Sequence, residues 1–228
     1  MKFPIEVSAV AFDLDGTLVD TLPDLHEAGN RTLADLGLAP VAVDLVRDYV
    51  GDGVDRLVKR ILTGSADGEP DAGLFSQARA RFGEHYWEVL SRASRPFPGV
   101  PEALDRMRAL GLQLACVTNK PGKFTLPLLE GVGLLPRLDL IVSGDTLPRK
   151  KPDPLPLAHC AERFGIPQAK LLMIGDSRND TTAARAAGCP VFCVPYGYRA
   201  GLDIRELDCD AIVASVSDSL ELIRPVRS

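Results

Sequence analysis

A short, almost uninterrupted apolar run lies near the start of the chain and ends in acidic residues. The run covers residues 7–12, and Asp13 and Asp15 follow it, together with Gly16 and Thr17. Such a run is typical of a strand buried on both faces of a parallel sheet. The two carboxylates would then lie at the carboxyl end of a strand, which is the edge where open α/β sheets bind ligands.

The apolar positions between residues 20 and 93 repeat at helical spacing instead. A first helix is predicted from the caps Asp20 and Thr21 to Gly37, with further helices over residues 44–51, 54–62 and 75–89. In the last of these, Phe82 and Trp87 are expected in the core. An all-helical block of this length indicates an insertion into a different architecture. We therefore predict a small helical cap domain over residues 20–93 and a core formed by residues 1–19 and 94–228.

Beyond residue 99 the pattern alternates between strand and helix. Strands are predicted over residues 112–117, 138–142, 170–174, 191–194 and 211–213, and helices over residues 101–110, 123–131, 155–164, 180–187 and 217–223. Repeated units of this length imply right-handed crossovers. The predicted fold class is therefore α/β, a doubly wound parallel sheet with the cap inserted after its first strand.

Composition and charge narrow the possible partners. The chain of 228 residues is 46% apolar, enough for a real core, and its net charge of −5 comes without long blocks of one sign. These values argue against nucleic acid or a membrane surface as the main partner. Five cysteines without a C-x-x-C pair indicate neither a disulfide framework nor a zinc site. With no secretory signal and no apolar run of membrane-spanning length, a reducing cytoplasm is expected.

Further polar clusters follow other predicted strands. They are Thr118-Asn119-Lys120, Lys150-Lys151-Pro152-Asp153-Pro154 and Gly175-Asp176-Ser177-Arg178-Asn179-Asp180. The sheet can bring all of them to the edge that holds Asp13 and Asp15. By themselves Thr118 and Asn119 equally suit a helix cap, and the lysine pair equally suits a solvated surface.

Several carboxylates packed together repel one another, which raises the pKa of one of them or requires a hard cation such as Mg²⁺. A lysine beside them would neutralise a phosphate and pair with a nucleophilic carboxylate. Alternate residues of an extended strand point the same way, so Asp13 and Asp15 can face one substrate, while Gly16 permits the turn that follows. This combination indicates phosphoryl transfer to one aspartate, with the second as general acid and base.

The sequence resembles the haloacid dehalogenase superfamily of phosphohydrolases over essentially its whole length. The motifs that carry the resemblance are Asp13-Leu14-Asp15-Gly16-Thr17, Thr118-Asn119, Lys151-Pro152, and Gly175-Asp176-Ser177 with Asp180. The resemblance implies that Asp13 is the nucleophile and that Asp15 protonates the leaving alcohol and then activates water. It implies a Mg²⁺ ion held by the Asp13 side chain, the Asp15 backbone carbonyl and Asp176.

The resemblance also assigns the remaining polar residues. Thr118, Asn119 and Lys151 would bind phosphate, and Thr17 is placed with them on the substrate. Ser177 and Asp180 would position these groups without contacting the substrate. Asp180 would do so by supporting either the metal or Lys151. Because dehalogenating members lack the second aspartate and need no metal, the presence of Asp15 indicates a phosphatase.

Substrate choice is expected to lie in the cap. Arg56 and Lys59 follow the Gly51-Asp52-Gly53 segment by about one and two helical turns, and Arg56 could meet a small carboxylate on the substrate. The predicted partner is a small phosphorylated metabolite, and the chain is expected to be a monomer or a homodimer. A sugar phosphate substrate, a phosphomutase and a non-catalytic phosphometabolite sensor remain open alternatives.

Overall fold

The computed structural model of the chain describes residues 2–198 and 201–226. The helices are α1 (Leu22–Asp35), α2 (Val43–Tyr49), α3 (Val54–Thr63), α4 (Ala72–Val89), α5 (Val100–Ala109), α6 (Gly122–Gly131), α7 (Leu155–Phe164) and α8 (Arg178–Ala187). The strands are β1 (Ile5–Val7), β2 (Ala9–Phe12), β3 (Val19–Asp20), β4 (Arg95–Pro96), β5 (Gln113–Val117), β6 (Leu140–Val142), β7 (Leu171–Gly175), β8 (Val191–Cys193), β9 (Ala211–Ile212) and β10 (Ile223–Pro225). Apart from the opening strand and the closing helix, the predicted elements are found with shifts of a few residues at their ends.

The central sheet has the strand order β6-β5-β2-β7-β8-β9, and every neighbouring pair in it is parallel. Strand β2 therefore lies between β5 and β7. The doubly wound α/β class predicted from the sequence is confirmed. Because the strands are parallel, the residues that follow β2, β5 and β7 meet at one edge.

Alternating side chains of the sheet pack against two separate layers of helices. Val10 and Phe12 of β2 pack in the same cluster as α5 and α6, whereas Ala9 and Ala11 pack in the cluster formed with α7 and α8. Both faces of β2 are fully buried. This burial explains why the opening run is apolar at almost every position rather than at alternate ones.

The opening run is not one strand, and this part of the prediction is wrong. The chain changes partners at Ser8, whose backbone N–H donates to the Lys170 carbonyl at 2.9 Å. Before it, β1 pairs in parallel with β10 at the end of the chain, while β2 enters the central sheet. The predicted closing helix over residues 217–223 is also wrong, because the chain becomes extended at Ile223 in order to pair with β1. A 3₁₀ segment, Ser217–Glu221, is followed by the extended backbone that pairs with β1.

The helices between β3 and β4 bury their own apolar cluster, which contains Leu25, Phe82 and Tyr86 and is joined by Phe124 and Tyr198 from outside this segment. Strands β3 and β4 pair antiparallel where the chain leaves the sheet and returns to it. Trp87 is 57% exposed, against the prediction, because it lies about 100° around α4 from the buried Tyr86. The cysteines are free, as predicted, and all but the half-buried Cys209 are buried.

No helix within the described part of the chain combines the length and the apolar character needed to cross a membrane.

Candidate active site

The predicted site residues converge at the carboxyl edge of the sheet. Asp13 follows β2, Thr118 follows β5, and Asp176 follows β7, so that they come from three neighbouring strands. Together with Asp15 and Lys151, they line one cavity. The site is therefore built from the best-buried part of the fold.

Asp13 is paired with Lys151 at the floor of this cavity. The Lys151 Nζ atom lies 2.7 Å from Asp13 Oδ1 and 2.6 Å from Asp180 Oδ1. Burial raises the pKa of Asp13 to about 7, although the Lys151 ammonium opposes this shift. Burial would lower the pKa of Lys151, but its two carboxylate partners raise it above its ordinary value. Lys151 therefore holds the Asp13 side chain in place as a cation.

Asp15 lies beside a different lysine. The Lys120 Nζ atom is 2.7 and 2.9 Å from the two carboxylate oxygens of Asp15, and the Thr21 hydroxyl donates to Oδ1 at 2.6 Å. Gly16 makes the turn after Asp15 with φ of +92°, and a Cβ there would lie 2.5 Å from an Asp176 carboxylate oxygen. A side chain at this position would be both strained and in collision with the site.

Asp176 is held from two sides. The Thr17 hydroxyl donates to Oδ1 at 3.1 Å, and the Tyr198 backbone N–H donates to Oδ2. Burial, followed by repulsion from Asp13 and Asp180, raises the pKa of Asp176 well above its usual range. Thr17 is fully buried, so the structure places it behind Asp176 instead of on the substrate, which corrects the prediction for this residue.

The acidic residues at the floor suit a divalent cation. Carboxylate oxygens of Asp13, Asp176 and Asp180 lie within 4.8 Å of one another. Asp180 already accepts from Lys151 through Oδ1 and, through Oδ2, from the Ser177 backbone N–H at 3.0 Å and the Ser177 hydroxyl at 2.7 Å. Asp13 and Asp176 therefore fit as metal ligands, while Asp180 and Ser177 position the groups around them.

Thr118 and Asn119 both line the cavity, but their side chains have different surroundings. The Thr118 hydroxyl accepts from the Lys120 backbone N–H at 3.1 Å. The Asn119 amide nitrogen donates to the Gly51 carbonyl at 3.0 Å and to the Lys151 carbonyl at 2.9 Å. A hydrogen bond donated by the Asn119 amide nitrogen to a phosphate would require one of these bonds to break. Asn119 instead connects the loop that carries Lys151 to the helical segment above.

The opposite wall of the cavity is formed by the helical segment. Its apolar side chains come from α1, α3 and the residues between α2 and α3, namely Leu25, Val50, Val54 and Leu57. Gly53 has φ of +90°, and a Cβ there would lie 2.9 Å from Lys150 Nζ and 3.1 Å from the Asn119 carbonyl oxygen. Glycine is required here because the wall and the core approach each other so closely.

The Val50–Gly53 segment, hereafter the lid loop, is bound to the core by hydrogen bonds. Lys150 Nζ donates to the Asp52 carbonyl at 2.7 Å, and the Asn179 amide donates to Asp52 Oδ1 at 2.8 Å. The other Asp52 oxygen lies 2.6 Å from an Arg60 guanidinium nitrogen. The helical segment is thus closed over the site.

Arg56 does not take the predicted place over the site. Its guanidinium pairs with Asp67 at 2.8 Å and with Glu69 at 2.9 Å, and Lys59 also pairs with Glu69. None of these four residues lines the cavity. Asp67 and Glu69, in the loop after α3, therefore bind the cationic side chains of Arg56 and Lys59, which the sequence analysis expected near the substrate.

Lys120 and Tyr198 touch the site, but the sequence analysis assigned a role to neither. Lys120 directly follows the predicted Thr118-Asn119 pair, and that adjacency was the signal available. The Tyr198 hydroxyl accepts from the backbone N–H groups of Thr21 and Leu22 at 2.9 and 3.0 Å and donates to Asp20 Oδ1 at 2.5 Å. Tyr198 thereby binds the first turn of α1 to the core, a contact between distant parts of the chain that no local pattern reveals.

Comparison with known proteins gives consistent results. The family model described as haloacid dehalogenase-like hydrolase matches residues 10–194. A protein of Thiobacillus denitrificans named phosphoglycolate phosphatase is 54% identical over 97% of this chain and 98% of its own length. One of the same name from Nitrosospira multiformis is 52% identical over 98% of this chain and 99% of its own length.

A similar fold is also found among solved structures. A crystal structure described as a predicted phosphoglycolate phosphatase from Haemophilus somnus superposes with a TM-score of 0.89 at 36% identity, covering 94% of this chain and 96% of that one.

Proposed function

The chain belongs to the haloacid dehalogenase-like hydrolases, and we propose that it is a Mg²⁺-dependent phosphatase that hydrolyses 2-phosphoglycolate to glycolate and phosphate. The observation that carries this proposal is the pairing of two carboxylates, two residues apart, with two different buried lysines. Asp13 is bonded to Lys151 and Asp15 to Lys120. Two acids with distinct surroundings at one site suit a nucleophile and a separate proton carrier.

In the first step a carboxylate oxygen of Asp13 forms a bond to phosphorus while the bond from phosphorus to the ester oxygen breaks. Asp15 gives its proton to the departing oxygen, which leaves as the hydroxyl of glycolate. In the second step water attacks the same phosphorus, Asp15 takes the proton from this water, and the bond to Asp13 breaks. Phosphate leaves, and both aspartates return to their starting states.

The other residues bind and orient. Lys151 holds the Asp13 side chain and places a positive charge beside the phosphate, with Thr118 as a further donor. Asp13, Asp176 and the Asp15 backbone carbonyl would hold a Mg²⁺ ion, which would supply charge that offsets the negative phosphate oxygens. Thr17, Ser177 and Asp180 keep these groups in position.

The choice of 2-phosphoglycolate rests on the names of the relatives and on the cavity that the lid wall covers.

We also propose that residues 20–93 form a cap domain distinct from a core of residues 1–19 and 94–228. A cytoplasmic location and a monomeric or homodimeric state belong to the same proposal.

The test is a comparison of kcat/KM for 2-phosphoglycolate, glucose 6-phosphate and muramic acid 6-phosphate with purified protein and Mg²⁺. We expect 2-phosphoglycolate to be preferred by at least about tenfold. An Asp13→Asn protein purified in parallel controls for contaminating phosphatases. Equal kcat/KM values for the three esters would show that 2-phosphoglycolate is not the preferred substrate.

The identity of the products decides the reaction type. One glycolate for each free phosphate is expected. A rearranged phosphate ester without free phosphate would indicate a mutase, and tight binding without turnover would indicate a sensor.

A further inference from the structure

The cavity holds few positive charges. Among the residues that the structure describes, its basic lining side chains are Lys120 and Lys151. Lys151 contacts Asp13 and Asp180 and is thereby committed to the end of the cavity where phosphorus is attacked. Lys120 instead pairs with Asp15. A negatively charged leaving group would therefore meet Lys120 rather than Lys151.

Lys120 is fixed in a position where it can contact a second group. It is 3% exposed, and its ammonium lies over the face of the Tyr86 ring, 5.1 Å from the centroid. An ammonium has three N–H donors, and the two oxygens of Asp15 account for two of them. Lys120 is also one of the residues that line the cavity.

The lid wall lines the cavity with apolar side chains and with the backbone of Gly51 and Gly53. The apolar side chains are Leu25, Val50, Val54 and Leu57. These side chains give no partners to the hydroxyl groups of a sugar or to a carboxylate, and an unpaired polar group beside them would be costly. The cationic side chains that can attract the charged part of a leaving group therefore lie on the core side.

The geometry of a phosphorylated hydroxy acid brings its carboxylate to this lysine. Asp15 must lie within hydrogen-bond reach of the ester oxygen in order to protonate it. In 2-phosphoglycolate one methylene group separates that oxygen from the carboxyl carbon. The carboxylate is therefore held close to Asp15, where a cation would attract it. Lys120 is that cation, at 2.7 Å from Asp15.

We infer that Lys120, a core residue, recognises the carboxylate of the leaving group and determines the preference for a small phosphorylated acid. This inference rests on the proposed phosphatase function and assigns to Lys120 the task that the sequence prediction gave to Arg56. The shared ammonium attracts the substrate carboxylate while it remains bonded to Asp15.

The test compares 2-phosphoglycolate with ethyl phosphate, an ester of similar size without the carboxylate. In the unmodified protein we expect a clear preference for 2-phosphoglycolate. The variant Lys120→Met keeps the length of the side chain and removes its charge. In this variant we expect the ratio of kcat/KM for 2-phosphoglycolate to that for ethyl phosphate to fall by on the order of 10- to 100-fold, mainly through a higher KM for 2-phosphoglycolate. Lys123→Met, which removes an exposed ammonium three residues later, is the matched control and should leave the preference unchanged.

Each outcome separates the inference from the function on which it rests. If Lys120→Met lowers kcat/KM for both esters by the same factor, Lys120 only positions Asp15, and the inference is wrong while the phosphatase function stands. If the unmodified protein shows no preference for 2-phosphoglycolate, the proposed function itself fails, and the inference fails with it.

A binding measurement covers the case in which Lys120→Met hydrolyses neither ester. Calorimetry on Asp13→Asn, with and without Lys120→Met, compares affinity for 2-phosphoglycolate and for inorganic phosphate. A selective loss of 2-phosphoglycolate binding supports the inference, and an equal loss of both overturns it.

Discussion

The core and lid walls of the cavity contrast in what they contribute. The core wall carries Asp13, Asp15, Lys120, Lys151 and Asp176, each held by at least one buried or partly buried hydrogen bond. The lid wall carries apolar side chains and a loop whose backbone carbonyls accept hydrogen bonds from the core. Charge and nucleophilicity thus come from the core, and exclusion of water comes from the lid. Substitutions in the core wall should lower kcat by orders of magnitude. Substitutions in the lid wall should instead change the affinity for substrate by small factors.

The largest effect is expected at the core residue Asp13. Asp13→Asn keeps the shape of the side chain but removes the attacking carboxylate, and kcat should fall by about 10⁴-fold or more. Initial rates of phosphate release give the measurement, and circular dichroism controls for folding. Residual activity within tenfold of the unmodified protein would mean that Asp13 is not the nucleophile.

The second effect concerns the pH dependence of cation binding at the core wall. Burial raises the pKa of Asp13 from 3.8 to about 7, so Asp13 holds a proton below about pH 7 in the metal-free protein, and the raised pKa of Asp176 acts in the same direction. A cation must displace such protons. Apparent Mg²⁺ affinity should therefore fall as pH is lowered below about 7, by up to about tenfold per pH unit for each displaced proton.

Thermal unfolding over a Mg²⁺ titration, between about pH 5.5 and pH 8.5, measures this affinity. An affinity that stays constant across the range would show that neither carboxylate gives up a proton to the cation.

A smaller effect is expected in the lid loop at Asp52. Asp52→Ala removes the bonds from Asn179 and Arg60 and loosens the closed position of the loop. KM for 2-phosphoglycolate should rise by about 3- to 10-fold, with a lesser change in kcat. Asp55→Ala is the matched control, because Asp55 pairs only with the exposed edge of α4 through Arg79 among the described contacts. Equal effects of the two substitutions would show that the loop contacts with the core do not matter for binding.

The smallest effect is expected at Arg56. Its ion pairs with Asp67 and Glu69 are at the surface, where such pairs contribute about 0–1 kcal/mol. Arg56→Gln should leave kcat/KM within about twofold and the free energy of unfolding within about 0.5 kcal/mol. A tenfold rise in KM would indicate that Arg56 contacts the substrate and would weaken the role inferred for Lys120.

The contrast between the walls also explains what the sequence could predict. The core residues follow strands whose apolar runs are visible in the sequence, so their meeting at one edge follows from the parallel sheet. The position of Asp13, Thr118 and Asp176 could be derived in this way. The partner change at Ser8 could not, because β1 pairs with the far end of the chain.

The lid was less predictable for a physical reason. Its helices were recognised from their spacing, but the direction of an exposed cation on α3 depends on which acids lie nearby. Arg56 faces Asp67 and Glu69 because the loop after α3 folds back beside it. Lys120 was named in a motif but not assigned a role, since its contact with Asp15 joins residues 105 positions apart.

The central claim, that the core wall transfers phosphate to Asp13, can be tested by trapping the intermediate. Asp15→Asn removes the group that activates water in the second step. Because it also removes the proton donor of the first step, the variant is given p-nitrophenyl phosphate, whose leaving group departs without a proton, so that the phosphorylated enzyme should accumulate. Acid quenching after mixing with this ester and Mg²⁺, followed by peptide mass spectrometry, should find a phosphoryl group on the peptide and residue of Asp13. Release of phosphate without any such adduct, or an adduct at another residue, would contradict the claim.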